Sequence, residues 1–177
     1  KFVSDQLTME DAGQIVDLFG WQETYPFDLP VAITEINPDL SPSDLGNIKL
    51  TPLQVARSAA VYSNAGAIPY PHIAQAVQTE QNGWVIFPHQ TNRKTIDPII
   101  ARLVASSFDR KDLPTWEFSA RTQSETSKII WYLSGTQPDW QANPYVLVLV
   151  IEDGSAQETL RLGRSVMEFF LTTSLGQ

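Results

Sequence analysis

The sequence predicts an α+β fold, with an antiparallel sheet flanked by helices. Three segments rich in β-branched and aromatic residues follow one another in the C-terminal half, at 116–122, 128–134 and 145–151. Turn-forming stretches separate these segments, which predicts consecutive antiparallel strands. The third segment is apolar on both faces, which is typical of a central strand covered on two sides.

Helix start signals surround this group of strands. Four residues with side chains that can cap a helix each come directly before a helical pattern. These capping residues are Thr8, Thr51, Asp97 and Ser155. A proline at the first helical position follows the second and third of them, and an acidic residue three positions on completes a capping box after the first and last. The signals predict helices over 8–19, over 52–65, from 98 to before Asp109, and over 156–173.

Two of these helices have patterns that predict their buried faces. Leu53 and the small residues at 56, 59, 60 and 63 mark one side of the second helix, which favours a central position close to its neighbours. Ile99, Ile100, Leu103 and Val104 have core spacing in the third. Between these two helices, an Asn82-Gly83 step predicts a hairpin. The proline-rich stretch 20–46, between the first and second helices, predicts a long loop.

Composition excludes several classes of function. The 12 basic and 20 acidic residues leave a net charge of −8, which argues against binding to nucleic acid. There is no cysteine and there are two histidines, so we expect no disulfide, no metal centre and no cofactor. The longest apolar run is seven residues, against about 20 for a membrane span. The length of 177 residues predicts a single domain over 1–177.

One segment is specific enough to suggest a family. Gly46 is followed by Thr51-Pro52-Leu53-Gln54, an alanine-rich helix, Asn64-Ala65-Gly66 and Pro69. This order resembles the penicillin-binding protein transpeptidase domain. Further stretches agree in order, namely Leu18–Gly20, Asp28–Pro30, Trp131–Gly135 and Tyr145–Asp153. The resemblance covers nearly the whole chain but only the C-terminal portion of the family's domain.

The resemblance implies three catalytic motifs, of which this sequence lacks two. The family places a nucleophilic serine one helical turn before a lysine, because an unassisted serine is a weak nucleophile. None of the five lysines has a serine three positions before it, and no Ser-x-Asn occurs. Ser124 and Lys128 have the wrong spacing and predict a solvated turn. We therefore expect no catalytic residue in this chain, with both motifs upstream of Lys1.

The third motif is present in altered form. Arg121, Thr122, Gln123 and Ser124 align with the family's Lys-Thr-Gly-Thr stretch, which implies that they bind substrate. Arginine keeps the positive charge that attracts a carboxylate, although its planar fork differs from a point charge. Strand alternation places Gln123 on the same face as Arg121, where the family has no side chain. The interpretation as an edge strand with no ligand therefore stays open.

Other chemistry-bearing residues favour structural interpretations. His72 and His89 each follow a proline and are typical of loops, and the acidic pairs at 109/112 and 152/153 suggest solvated turns. Four tryptophans could form a sugar-stacking platform, but we expect packing instead. They are Trp84, Trp116, Trp131 and Trp140.

The resemblance implies a parent that is an extracytoplasmic, membrane-anchored peptidoglycan D,D-transpeptidase, which acylates a serine with a D-Ala-D-Ala stem peptide or a β-lactam. The chain would then be a C-terminal portion that is inactive by itself. The alternative is a pseudoenzyme that serves as a binding or scaffolding module in cell-wall assembly. The resemblance also leaves the edge of strand 145–151 open, to be covered by the N-terminal half, by Lys1–Leu7 or by a second copy in a homodimer.

Overall fold

The computed structural model describes residues 7–23, 35–37, 41–88, 90–123 and 127–174. The chain divides into two compact units. The first comprises residues 1–51 and 69–93, and the second comprises residues 52–68 and 94–177. The α+β class and the antiparallel sheet flanked by helices are confirmed.

The described residues form four α-helices and eight β-strands. The helices are α1 (Met9–Phe19), α2 (Pro52–Ser63), α3 (Pro98–Ser107) and α4 (Ala156–Ser174), with a 3₁₀ turn over Pro42–Asn47. The strands are β1 (Ala67–Ile68), β2 (Ala76–Thr79), β3 (Gly83–Ile86), β4 (Arg93–Lys94), β5 (Asp109–Arg110), β6 (Thr115–Gln123), β7 (Lys128–Thr136) and β8 (Val146–Glu152).

The first unit contains α1 and the hairpin of β2 and β3. Thr8 and Asp11 form the expected capping box, with the Asp11 amide donating to the Thr8 hydroxyl at 3.1 Å. Ala12 and Val16 of α1 make a small core. The hairpin has antiparallel register around the Asn82-Gly83 turn, and Gly83 has a φ of +65°. This hairpin prediction is therefore confirmed.

The second unit contains a four-stranded antiparallel sheet in the order β5-β6-β7-β8. The long strands pair without interruption, with Ala120 opposite Trp131 and Tyr132 opposite Leu149. Helices lie on both faces, because the Trp116 side of the sheet packs on Ala59 of α2 and the Tyr132 side packs on Gly163 of α4. The three predicted long strands are confirmed, and β5 adds a short fourth.

The segment 145–151 lies at the edge of the described sheet, as the resemblance implied for this chain, although its apolar pattern alone predicted a central strand. β8 ends the sheet order, with β7 as its one described neighbour. Apolar residues on both faces predicted a covered strand, and β8 is half-buried along most of its length. Helices above and below a strand produce the same apolar pattern whether or not a further strand lies beside it. The pattern therefore reports covered faces and contains no information about the edge.

Two predictions of buried faces are wrong in part. In α3, Ile99, Ile100 and Leu103 are 69%, 49% and 59% exposed, and the buried residues are Ala101 and Ala105. Small side chains allow the helix to approach Trp116 closely, which turns the larger residues outward. In α2, Ala59 and Ser63 are buried as expected. The polar residues Gln54 and Arg57 are buried as well, and the alanine pattern did not predict them.

The end of α2 agrees with the expected left-handed glycine. Gly66 has a φ of +87°, and a Cβ at this position would collide with the Ile96 carbonyl. The Gly66 carbonyl in turn accepts hydrogen bonds from the amides of Thr95 and Ile96, at 2.9 and 3.0 Å. In the part of the chain that the structure describes, no helix is long and apolar enough to cross a membrane.

Two helical glycines give a matched test of the packing of α4. An alanine in a helix interior is normally more stable than glycine by about 1 kcal/mol. Gly13 of α1 has open space around it, so we expect Gly13→Ala to raise the free energy of unfolding by roughly 0.5 to 1 kcal/mol. A Cβ at Gly163 would collide with the ring of Tyr132, so Gly163→Ala should lower it by about 1 to 3 kcal/mol.

Urea unfolding followed by circular dichroism measures both changes. Equal stabilisation by the two substitutions would mean that α4 does not contact Tyr132 as closely as described.

Candidate functional site

The candidate substrate-binding residues lie at the C-terminal end of β6. Arg121, Thr122 and Gln123 are all exposed, and Ser124 lies outside the described residues. The regular pairing of β6 with β7 continues through Gln123, opposite Lys128. The altered motif is therefore presented at the surface by a strand that is anchored at its other end.

Strand alternation divides these residues between the two faces of the sheet. Arg121 and Gln123 share the parity of Glu117, which contacts Arg164 of α4. Thr122 shares the parity of Trp116, which packs on α2. One ligand can therefore contact both the Arg121 guanidinium and the Thr122 hydroxyl only if it lies along the outer edge of β6, which is the edge that does not pair with β7.

That outer edge offers backbone groups to a ligand. β5 pairs with β6 at Thr115 and Trp116, and the Glu117 amide donates to the Phe108 carbonyl at 2.9 Å. From residue 118 to residue 123, no described strand lies beside this edge. An exposed strand edge can bind an extended peptide through backbone hydrogen bonds.

A hydrogen bond from the neighbouring strand orients the hydroxyl of Thr122. The indole N–H of Trp131 donates to the Thr122 Oγ1 at 3.1 Å. Because the oxygen accepts this bond, the hydroxyl hydrogen can point away and donate to another group. Thr122 is thus arranged as a donor, which suits an oxyanion or carboxylate.

The N-terminal end of β6 is fixed by the buried side chain of Trp116, which is 4% exposed. Its indole N–H donates to the Ser63 hydroxyl of α2 at 3.0 Å, and its backbone carbonyl accepts from the Ser134 hydroxyl at 2.8 Å. A Cβ at Gly135 would collide with both Ser63 and the indole ring. Glycine is therefore needed on β7 for α2 to reach the sheet.

On the opposite face, Glu117 binds α4. Both of its oxygens bind the guanidinium of Arg164, with Nε donating to Oε2 at 3.0 Å, and the hydroxyl of Tyr132 donates to Oε2 at 3.2 Å. The hydrogen bond from Arg164 is the main cause that lowers the pKa of Glu117. Burial, with a smaller effect from the charge of Glu117, raises the pKa of Tyr132 to about 12.

A second charged contact holds α4 against β5. The side chain of Arg110 is 6% exposed and donates to Asp112 from Nε and Nη2, each at 2.7 Å, and to Glu168 at 2.8 Å. Burial acts to lower the pKa of Arg110, but the bonds to the two carboxylates outweigh it and raise the pKa.

Sequence reasoning missed these anchoring residues. Trp116 is one of the four tryptophans that are expected to pack, and no sequence pattern marks Arg110, Glu117 or Arg164. The pairs span up to 58 positions, and single charges at such separations carry no pattern that marks them as partners. The packing prediction is confirmed for Trp116, whereas Trp84 is 68% exposed.

Within the described ranges, no cluster of three His, Asp or Glu side chains could hold a metal ion. His72 is exposed, and His89 lies outside those ranges.

Two arginines give a matched test of the site. Because Arg121 is exposed, we expect Arg121→Ala to change the free energy of unfolding by less than about 0.5 kcal/mol. Arg110 is buried and binds two carboxylates, so Arg110→Ala should lower it by about 2 kcal/mol. Chemical denaturation measures both. A large loss of stability in the Arg121 variant would identify it as a structural residue.

Comparison with solved structures supports the assignment of the fold. Penicillin-binding protein 3 from Mycobacterium tuberculosis, complexed with aztreonam, matches 88% of this chain with a TM-score of 0.71 and 16% identity. Penicillin-binding protein A from the same organism, an imipenem acyl-enzyme complex, matches 82% with a TM-score of 0.64 and 19% identity. The D,D-transpeptidase domain of a peptidoglycan glycosyltransferase from Eggerthella lenta matches 84%, with a TM-score of 0.62 and 14% identity.

These matches extend over only part of the solved proteins. The chain spans 42%, 38% and 44% of their respective lengths. Neither a family profile nor a curated protein sequence matches the chain significantly. The resemblance seen in the sequence is confirmed at the level of the fold. Over most of its length, the chain has the fold of part of a penicillin-binding-protein transpeptidase domain.

Proposed function

We propose that this chain is the C-terminal portion of a peptidoglycan D,D-transpeptidase involved in cell-wall cross-linking, and that it is inactive by itself. The observation that carries the proposal is the match of most of the chain to a D,D-transpeptidase domain and to penicillin-binding proteins, one of which is an acyl-enzyme complex. On this proposal residues 1–177 belong to one transpeptidase-like domain. The parent is extracytoplasmic and anchored in the membrane.

The substrate-binding role falls to the end of β6. Arg121 supplies positive charge for the carboxylate of a stem peptide or a β-lactam, and the Thr122 hydroxyl donates to it. The outer edge of β6 aligns the extended ligand through its backbone groups. Exposure of both side chains and the bond from Trp131 to Thr122 support these roles. Ser124, which aligns with the last threonine of the family's motif, completes the proposed set.

Acyl transfer needs groups that this sequence does not contain. A serine must have a base within hydrogen-bond reach to become a nucleophile. No lysine here has a serine one turn before it. The chain therefore contributes the binding strand, and the serine and its base come from the rest of the parent protein.

A second candidate function is a pseudoenzyme that acts as a binding or scaffolding module in cell-wall assembly. The observation that favours it is Gln123, an exposed long side chain where the family has glycine. The coding sequence upstream of Lys1 distinguishes the two candidates. Ser-x-x-Lys followed by Ser-x-Asn there supports the enzyme, and their absence from the whole gene supports the pseudoenzyme.

We expect that a fluorescent penicillin will not label the isolated chain covalently, because no serine has a base at the required spacing. Gel fluorescence after denaturation measures the label, with an active penicillin-binding transpeptidase as the positive control. Stoichiometric labelling of this chain would contradict its proposed inactivity.

A further inference from the structure

Two buried polar atoms lie on one face of the sheet where β5 pairs with β6. Arg110 of β5 is directly opposite Thr115 of β6, and Arg110 binds Glu168 of α4, so both side chains are on the face that α4 covers. The described residues provide no hydrogen-bond partner for Nη1 of Arg110 or for Oγ1 of Thr115. A buried polar atom without a partner is uncommon, because folding removes its bond to solvent without replacing it.

The described residues already shield this pair from solvent. The side chain of Arg110 is 6% exposed, and Thr115 is fully buried. Because solvent cannot reach the two atoms, a further segment of polypeptide cannot reach them either. The site is therefore independent of what lies upstream of Lys1.

The other bonds of Arg110 fix the direction of Nη1. Nε and Nη2 each donate to Asp112 at 2.7 Å, and Nη2 also donates to Glu168 at 2.8 Å. The guanidinium is planar and its N–H groups have fixed directions, so these bonds also determine where Nη1 donates. The partner of Nη1 must therefore be brought to it.

The two atoms need the same kind of partner. A guanidinium N–H can donate but not accept, and the hydroxyl of Thr115 has one hydrogen that also needs an acceptor. Residues directly opposite in an antiparallel pair have Cα atoms about 4.5 to 5.5 Å apart. A single small group that accepts two hydrogen bonds could therefore satisfy both atoms.

The local charge disfavours an anion as this acceptor. The guanidinium groups of Arg110 and Arg164 bind three carboxylates, those of Asp112, Glu117 and Glu168. An anion would add to this excess of negative charge. A water molecule is neutral, accepts two hydrogen bonds and has two hydrogens to donate to carboxylates. Buried waters typically make about three hydrogen bonds to polar groups that would otherwise be unsatisfied.

We propose that one ordered water molecule is bound between Arg110 and Thr115, as an internal part of the contact between α4 and the sheet. Its oxygen accepts from Nη1 of Arg110 and from the hydroxyl of Thr115, and its hydrogens are donated to carboxylates of the same cluster. This inference concerns the chain itself and does not depend on the proposed function.

The water connects the two charged contacts of α4. Glu117 is two residues after Thr115 on β6, and residues two apart on a strand share a face. A water that donates to Glu117 joins the contact of Arg110 with Glu168 to the contact of Glu117 with Arg164. The result is one polar network across β5, β6 and α4, which holds the N-terminal end of β6.

A crystal structure of the full 177-residue chain tests the site directly. We expect electron density for a water within hydrogen-bond distance of both Arg110 Nη1 and Thr115 Oγ1. Thr115→Val removes the hydroxyl but keeps the shape of the side chain, so this density should be lost. Thr115→Ser keeps the hydroxyl and should keep the water.

Thr136→Val is the matched control. Thr136 lies opposite Thr115 on β7 and is also fully buried. Its Oγ1 already accepts from the amide of Tyr145 at 3.3 Å. The water should therefore remain in this variant.

The direction of a stability change provides a second test, in solution. If the Thr115 hydroxyl has no partner, Thr115→Val removes an unsatisfied polar group and should raise the midpoint of urea unfolding. If the hydroxyl binds the water, the same substitution also removes the partner of Arg110 and should lower the midpoint. We expect the midpoint to fall, with the slope of the transition unchanged.

Three results would overturn the proposal. The first is a crystal structure in which the position is empty, or in which Nη1 of Arg110 bonds directly to Thr115. The second is an anomalous signal from bromide at this position in crystals grown with sodium bromide, which would identify an anion site. The third is a rise in the urea midpoint on Thr115→Val.

Discussion

The hydrogen bond between Trp116 and Ser63 fixes the position of α2 on the sheet. The indole must donate to a buried partner, because an unsatisfied buried N–H costs about 1 to 3 kcal/mol. Ser63, near the end of α2, is that partner at 3.0 Å. The ring also packs on Ala59 and Ala105, so two helices meet the sheet at one side chain. Gly135 provides the room that this close approach requires.

Strand β6, which contains Trp116, has a fixed N-terminal end and an exposed C-terminal end. Trp116 and Glu117 face opposite sides of the sheet and bind α2 and α4 respectively. Toward residue 123 the side chains become exposed, and the outer edge has no described strand beside it. A strand that is fixed at one end and open at the other can present polar groups at a constant position. This division makes the end of β6 a candidate binding strand.

The sequence predicted the elements well, because their signals are local. Capping side chains at Thr8, Asp97 and Ser155 marked helices that the structure contains. The exposed face of α3 was not predicted, because it depends on residues that are distant in the chain. Ile99 and Leu103 have core spacing, yet the core selects Ala101 and Ala105 because they fit beside Trp116.

The resemblance of motifs predicts the position of the candidate site. It does not predict the contacts that hold β6 in place. The pairing of Trp131 with Thr122 follows from strand register, which the short intervening turn only suggests. Arg110 and Glu168 are separated by 58 positions, so their contact appears only once α4 lies on the sheet. Contacts between residues so far apart in the chain form only in the folded protein, and for this reason the sequence does not predict them.

A double-mutant cycle between Trp116 and Ser63 tests most directly whether this bond joins α2 to the sheet. Trp116→Phe removes the donor, Ser63→Ala removes the acceptor, and urea unfolding gives the free energy of each variant and of the pair. The account predicts a coupling energy of about 1 kcal/mol, because each single substitution leaves one buried polar group unsatisfied. Additive effects, within about 0.3 kcal/mol, would contradict it.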